Sequence, residues 1–460
     1  MSLASAFDAA QVRRCLDALT PPGGPVLVGY SGGGDSHALL LIAARWAHAA
    51  GRQLHAVIVD HGLRPESAGE VRRAASVAHA LGVETRIHHE TGANTPASGI
   101  QDWARALRHQ AFAAAARETG AESLLLGHTA DDQAETVWMR LLAGGGDRAL
   151  AAMSADDPFP GADTPDGFRV LRPLLGQRRA AIRDWLASQG ENWVDDPSNA
   201  DRAYTRVRIR QTLARLEKAG LSISALTGLS QACADLNTDI GAKAARLFAR
   251  TVTLEPWGGA KIDRTAFAGS ADRVQHRALE AAIAVVTGHS GPLRASGVEA
   301  LMAGVAARRP ASGAGAILHF RRDQAWLLRD PGAVLGREGI APLAPVTVEA
   351  GSTRQWDGRF AVTNTLKHAV EIGCLAQLGP ALQAQLPDLS EIPAPARQTL
   401  PVIHEGGTLL AIPGIRDDPR VSIVHKGYDL AQRSFFSGQA PAWFGGSLGQ
   451  TVTQGSHYRG

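Results

Sequence analysis

Between Val26 and Leu142 short apolar runs alternate with longer amphipathic stretches, a rhythm that predicts repeated strand-helix units. Strands are expected at 26–29, 54–60, 83–88 and 123–127. Helices are expected at 36–50, 67–81 and 100–119, stopped by Gly51, Gly82 and Gly120. The strands are nearly continuous in apolar residues, so both faces need cover, which predicts an α/β fold built on a doubly wound parallel sheet. Gly144-Gly145-Gly146 breaks the pattern and 156–167 reads as an exposed loop, before a strand near 169–174 and a helix over 178–189 extend the same domain. From about Thr212 to Arg309 amphipathic runs rich in Ala and Leu predict a mainly helical domain with a hairpin at 252–262. Beyond Ala316 the apolar runs 317–320, 325–328, 360–362 and 409–412 are short and separated by Gly, Pro or Asp, which predicts a small β-rich or α+β domain. The expected domains are residues 1–211, 212–315 and 316–436, with an irregular tail over 437–460.

Composition changes this picture in one place. The chain has 460 residues, 45% of them hydrophobic, and a net charge of +3, which suits several globular domains and points to no particular partner. Between Arg169 and Lys218, however, eleven Lys/Arg face six Asp/Glu, a local excess larger than that of the whole chain. The three cysteines, Cys15, Cys233 and Cys374, are too far apart for a Cys-x-x-Cys pair, so disulfides and iron-sulfur clusters are not expected. No segment has the length of a membrane span or the pattern of a signal peptide, and a cytoplasmic location is the expectation.

In a parallel sheet ligands gather at the carboxyl ends of the strands. Three polar clusters occupy those positions: Ser31-Gly32-Gly33-Gly34-Asp35-Ser36 after the first strand, Asp60-His61-Gly62-Leu63-Arg64 after the second, and His128 to Thr136 after the fourth. A glycine loop between a buried strand and a helix start lets backbone amides approach a phosphate chain, with the Ser31 and Ser36 hydroxyls as added donors. No lysine follows the glycines, so the loop is neither a Walker motif nor a dinucleotide fingerprint. It resembles the pyrophosphate (PP) loop of the ATP pyrophosphatases. Asp35 inside it suits a Mg²⁺ ligand beside phosphates, or a helix cap. Asp131, Asp132 and Glu135 open a helix on one side, where they could hold a metal, hold a cationic substrate such as an amine, or complement the helix dipole. His128 could bond phosphate or be a structural histidine, and His61 and Asp60 carry the same ambiguity. Arg105 and Arg108, at i and i+3, suit a phosphate clamp or a solvated basic face. Arg206, Arg208 and Arg210 alternate with uncharged residues after Tyr204. If extended they present three guanidinium groups on one side to RNA phosphates, with Tyr204 stacking; the alternative is the basic edge of a helix linking two domains.

Taken together, Ser31 to Ser36, Val59 to Arg64, His128 to Thr136, Arg172-Pro173-Leu174-Leu175 and Asp195-Asp196-Pro197-Ser198-Asn199 followed by the arginine run resemble the bacterial tRNA(Ile)-lysidine synthetases. The resemblance is specific over 25–210 and general beyond 316, and it departs from the family at Val207, where Asn is common. It implies a PP-loop fold and a two-step reaction on tRNA(Ile) with a CAU anticodon. ATP adenylates the C2 oxygen of the wobble cytidine, and the ε-amine of free lysine then displaces AMP. It implies ATP contacts from Ser31, Gly32, Gly33, Gly34, Asp35, Ser36 and Arg105, with Mg²⁺ on Asp35. Lysine would be bound by Asp131, Asp132 and Glu135, catalysis would fall to these acids with Asp35 and His128, and tRNA contacts to Tyr204, Arg206, Arg208 and Arg210. A homodimer follows by analogy. The competing readings are a thiolase-like PP-loop enzyme acting on tRNA and a non-catalytic nucleotide- or RNA-binding relative.

Overall fold

The apolar runs of the first half pair into a six-stranded sheet in a computed structural model that describes residues 6–62, 67–90, 96, 99–159, 167–194, 205–289 and 293–427. Its strands are β1 (Val26–Gly29), β2 (Leu54–Asp60), β3 (Glu84–His89), β4 (Ser123–Leu125), β5 (Asp156–Pro158) and β6 (Arg169–Leu171), in the order β3-β2-β1-β4-β6-β5. All pairings are parallel except that of β5, which runs antiparallel to β6 at the edge. The segment 156–158, expected as loop, is therefore a short strand. It needs no period-2 apolar pattern because it closes an edge.

Period-2 alternation sends side chains of each strand to opposite faces. Val26, Val28, Ala56, Ile58, Leu125 and Leu171 join one core with helices α1 (Ala9–Leu19), α2 (Gly34–Ala49), α3 (Ser67–Ala80) and α7 (Arg179–Ser188). Leu27, Val57, Leu124 and Val170 join another with α4 (Ile100–Thr119). Both faces are covered, as the apolar runs required. The chain grows from β1 outward to β3 and then returns to β4 on the other side of β1, so the switch point lies between β1 and β4, and the loops leaving these two strands meet there.

Beyond β4 come α5 (Ala130–Leu142), α6 (Asp147–Leu150), α8 (Thr205–Lys218) and α9 (Ile223–Thr251). Ala134 and Val137 of α5 pack on Ile209 and Leu213 of α8 and on Ile223 and Leu226 of α9. The segment 205–210, for which an extended edge and a basic helix are the two expectations, is thus the first turns of a helix. Val207, the departure from the family pattern, is a buried position on it.

The chain divides into two compact units, Met1–Asn237 and Thr238–Gly460. In the second, the expected hairpin forms as β7 (Val252–Leu254) and β8 (Ala260–Ile262), followed by α10 (Arg264–Ala268), α11 (Asp272–Thr287) and α12 (Ala295–Ala307). The hairpin joins β9 (Ala311–Gly313), β10 (Ala316–Arg321) and β11 (Gln324–Arg329) in one antiparallel sheet, β7-β8-β11-β10-β9, with α11 and α12 packed on it. The boundary expected between 315 and 316 falls between β9 and β10, which are paired neighbours, so it separates no compact units. Two further antiparallel sheets follow. One has the order β12-β15-β16-β17, from β12 (Val346–Val348), β15 (Val370–Cys374), β16 (Pro401–Glu405) and β17 (Thr408–Ala411). The other has the order β13-β14-β18, from β13 (Thr353–Trp356), β14 (Phe360–Asn364) and β18 (Val421–His425). Trp356, Phe360, Val362, Ile372 and Ile403 form a core common to the two sheets. The expected tail over 437–460 lies outside the described residues.

Candidate active site

The glycine loop leaves β1 and ends where α2 begins. Gly33 is the N-cap of α2 and offers no side chain to it, so the first amides of the helix keep no intrahelical partner and point out of its end. Gly32 sits at φ +79, a conformation that disfavours any side chain. The hydroxyl of Ser36 donates to the Gly33 carbonyl at 2.9 Å and lies 3.1 Å from the Ser31 hydroxyl, which closes the loop on itself. The Val194 amide donates to the Gly32 carbonyl at 3.0 Å and so fixes the outer side. Just after β4, Gly127 reaches the loop so closely that a Cβ there would lie 3.1 Å from the Asp35 backbone. That approach joins the two strand ends into one site.

Asp35 lies within the first turn of α2, but the cap position belongs to Gly33, so the capping alternative for Asp35 falls. Its Oδ2 accepts from Arg179 Nε at 2.9 Å, while its Oδ1 is buried without a partner. Burial pushes its carboxyl above the usual range, against the pull of Arg179.

The acids of α5 face the same arginine. Asp132 Oδ1 accepts from Arg179 Nη2 at 2.6 Å and Glu135 Oε1 from Arg179 Nη1 at 3.3 Å. Glu135 also accepts from Arg210 Nε at 2.8 Å, and its Oε2 is buried with no partner on a residue only 3% exposed. The other oxygen of Asp132 completes a capping box with Thr129, accepting from the Thr129 amide at 2.8 Å. Asp132 therefore caps the helix and joins the arginine cluster at once. Burial works against its charge, but Arg179 and the Thr129 bonds hold its carboxyl below the usual range. Asp131 points elsewhere. It accepts from the Arg179 backbone amide at 2.7 Å and from the Arg178 guanidinium at 3.3 Å, tying the start of α7 to the start of α5. Among the described residues no group of three or more His, Cys, Asp or Glu side chains is arranged to hold a metal.

Arg179 is the residue that sequence reasoning missed. It lies 144 positions from Asp35 and 44 from Glu135, and its only local signal is its place in the basic stretch, just after Arg172-Pro173-Leu174-Leu175. A second unforeseen set braces the loop from behind. His37, fully buried, lies 3.1 Å through Nδ1 from the Tyr30 hydroxyl and 3.0 Å through Nε2 from Glu191.

On the other side of the acids the charge is positive. The Arg108 guanidinium is held below its ordinary value by desolvation and by the neighbouring Arg105 and Arg206, and among the described residues none of these three has an ion-pair partner. His128 lies between this cluster and Asp132. Burial, helped by Arg172, Arg206 and Arg108 and opposed by Asp132, lowers its pKa to about 4, so at neutral pH the ring is an uncharged donor rather than a cation. His61 is likewise pushed down, by burial and then by Arg108. Asp60 is a turn residue: its Oδ1 accepts from the Gly62 amide at 3.0 Å.

The arginine run is split by the helix. Arg206 joins the cationic cluster, Arg210 is bound to Glu135, and Arg208 bonds Thr205 at 2.9 Å. Three guanidinium groups on one extended edge do not occur. Tyr204, Arg64 and 195–199 lie outside the described residues. Cys15, Cys233 and Cys374 are all free thiols, so no cysteine pair of the kind a thiolase would use is present among the described residues. No helix of the described chain is long and apolar enough to cross a membrane.

This loop and this acid-arginine site lie in a segment, residues 8–217, that matches the family described as a PP-loop domain. The chain is 38% identical over 289 residues to the tRNA(Ile)-lysidine synthase of Bradyrhizobium sp., covering 61% of this chain and 78% of that protein. It is 37% identical over 298 residues to that of Rhodopseudomonas palustris, covering 63% and 83%. With the synthase of Caulobacter vibrioides the match is 35% over 406 residues, 85% of this chain and 88% of that protein, so it runs through both compact units. Motifs, fold and likeness along most of these relatives agree, and the chain belongs to the tRNA(Ile)-lysidine synthase family.

Proposed function

We propose that this protein uses ATP to join the ε-amine of free lysine to C2 of the wobble cytidine of tRNA(Ile) with a CAU anticodon. The observation that carries the reading is the placing of Asp35, Asp132 and Glu135 around one arginine at the switch point, directly beside the phosphate-binding loop. In the first step the C2 oxygen attacks the α-phosphorus of ATP and pyrophosphate leaves. The loop amides, Ser31 and Ser36 bind the phosphates, and Arg105 and Arg108 supply positive charge where negative charge grows, with Arg206 beside them left to meet a tRNA phosphate. Asp35, whose Oδ1 is buried without a partner, would hold a Mg²⁺, an ion usually bound by one or two carboxylates, and that ion would supply positive charge for the leaving pyrophosphate. In the second step the amine nitrogen attacks C2, the C2–O bond to AMP breaks, and one proton leaves the nitrogen. Freeing an amine of pKa near 10.4 at pH 7 costs roughly 4 to 5 kcal/mol, which a neighbouring carboxylate offsets as base. Glu135, with an unpartnered buried oxygen, suits the ammonium.

The test is mass analysis of the anticodon nucleoside after incubation with ATP, Mg²⁺, isotopically labelled lysine and the tRNA. Label in a modified cytidine is expected, and AMP formation without label would overturn the reading.

For tRNA binding, Arg206→Ala should lower the slope of log affinity against log salt by about one, because one phosphate contact is lost. Arg210→Ala should leave that slope nearly unchanged and raise the KM for lysine, since its guanidinium is engaged by Glu135. Filter binding across a salt series separates the two, and equal slopes for both variants would return Arg206 to a structural role.

A further inference from the structure

Arg179 sets each of its three guanidinium nitrogens on a different carboxylate: Nε on Asp35, Nη2 on Asp132 and Nη1 on Glu135. Each bond takes one oxygen of its acid. For Asp132 the second oxygen is used by Thr129, but for Asp35 and Glu135 the second oxygen, Oδ1 and Oε2, is buried and bare. Buried acceptors are rarely left unpaired without a reason, and a bare oxygen on a residue as enclosed as Glu135 implies a missing donor. The two bare oxygens lie on different elements, one on the phosphate loop and one on α5. A planar guanidinium with five donors in a fixed fork can set the orientation of three acids at once, which an ammonium cannot.

Resting on the function proposed above, we infer that Arg179 is a positioning residue that turns one oxygen of Asp35 toward the ATP phosphates and one oxygen of Glu135 toward the amine, so that the two half-reactions share a single orienting group. Without it the three carboxylates repel one another, Asp35 loses the one side-chain hydrogen bond it makes among the described residues, and Glu135 is left on Arg210 alone, so both cation subsites lose their geometry together. Arg179 itself touches neither ATP nor lysine.

The test compares wild type with Arg179→Ala and Arg179→Lys in the steady state, reading the KM for lysine, the Mg²⁺ concentration for half-maximal pyrophosphate release, and kcat. In Arg179→Ala both concentrations should rise at least tenfold. Arg179→Lys, which keeps the charge but not the fork, should recover folding while leaving both raised by more than threefold. If kcat alone falls, the role is merely structural and the inference is overturned. A drop in the KM for lysine would also overturn it, since Arg179 would then be a competitor for the amine subsite. Should Arg179→Ala prove unfolded, the Arg179→Lys values decide. Wild type run in parallel keeps the two ideas apart: no labelled product from wild type defeats the proposed function, whereas normal wild-type turnover with unaltered variant constants defeats only the assignment of Arg179.

Discussion

Asp35→Asn is expected to slow pyrophosphate release by about 10²–10³-fold, the range seen when one preorganised group acting on transition-state charge is removed, while tRNA affinity stays within about twofold. The substitution keeps the volume and removes the charge. Its Oδ1 is the buried, bare oxygen beside the phosphate loop, and its Oδ2 is one of three anchors of Arg179. Asp132 and Glu135 still hold that arginine in the variant, so the site keeps its shape. Folding should survive as well, because burial already works against the charge of Asp35 and because Asp132 and Glu135 keep Arg179 paired. Raised Mg²⁺ should not restore the rate, since an amide oxygen attracts the ion far less than a carboxylate. A variant that releases pyrophosphate at the wild-type rate would show that Asp35 has no part in the first step.

Much of this site is legible in the sequence because its parts follow strands. A strand buried on both faces has to be apolar, so its end is marked by the first polar residues, and three such ends point to Ser31–Ser36, Asp60–Arg64 and His128–Thr136. Pairing order decides which ends are adjacent, and that is not local information. Arg179 is invisible for this reason: nothing near it in the chain shows that β6 runs beside β4 and so delivers the start of α7 to the acids of α5. The arginine run misleads in a different way. Arg-x-Arg-x-Arg has period 2, but the residues that decide the conformation are Ile209, Leu213 and Leu216, spaced four and three apart along the face that meets α5. The charged positions are free to follow whatever the buried ones choose. The boundary at 315/316 fails because β9 is three residues of Ala, Ser and Gly, too short and too small to announce a strand.

Acid should weaken the fold well above the pH at which carboxylates titrate. His128 has its pKa lowered to about 4 by burial first, and His425 in the second unit to about 3 by burial and then by the neighbouring Arg359. Both folded values lie below the unfolded value of 6.5, so each ring is neutral in the native state while the unfolded chain takes up the proton. Stability is therefore complete above pH 6.5 and is lost as pH falls from 6.5 toward 4 and 3. Linkage puts the loss at about 2 kcal/mol per histidine by about pH 5. Asp132 acts only lower: its folded pKa is depressed, so its contribution is lost below about pH 4. The window from about 6.5 to 5 thus belongs to the histidines. Denaturant unfolding at about pH 7.5 and about pH 5 should show these two rings costing the wild type about 4 kcal/mol, with His55, His61 and His109, also pushed down by burial, adding to the loss, and His425→Gln or His128→Gln losing about 2 kcal/mol less than the wild type. A lower starting stability of the Gln variants does not matter, because the difference between the two pH values carries the result. An equal loss in wild type and both variants would mean that these rings take up their protons in the folded protein by about pH 5, and the depressed values of His128 and His425 would fall.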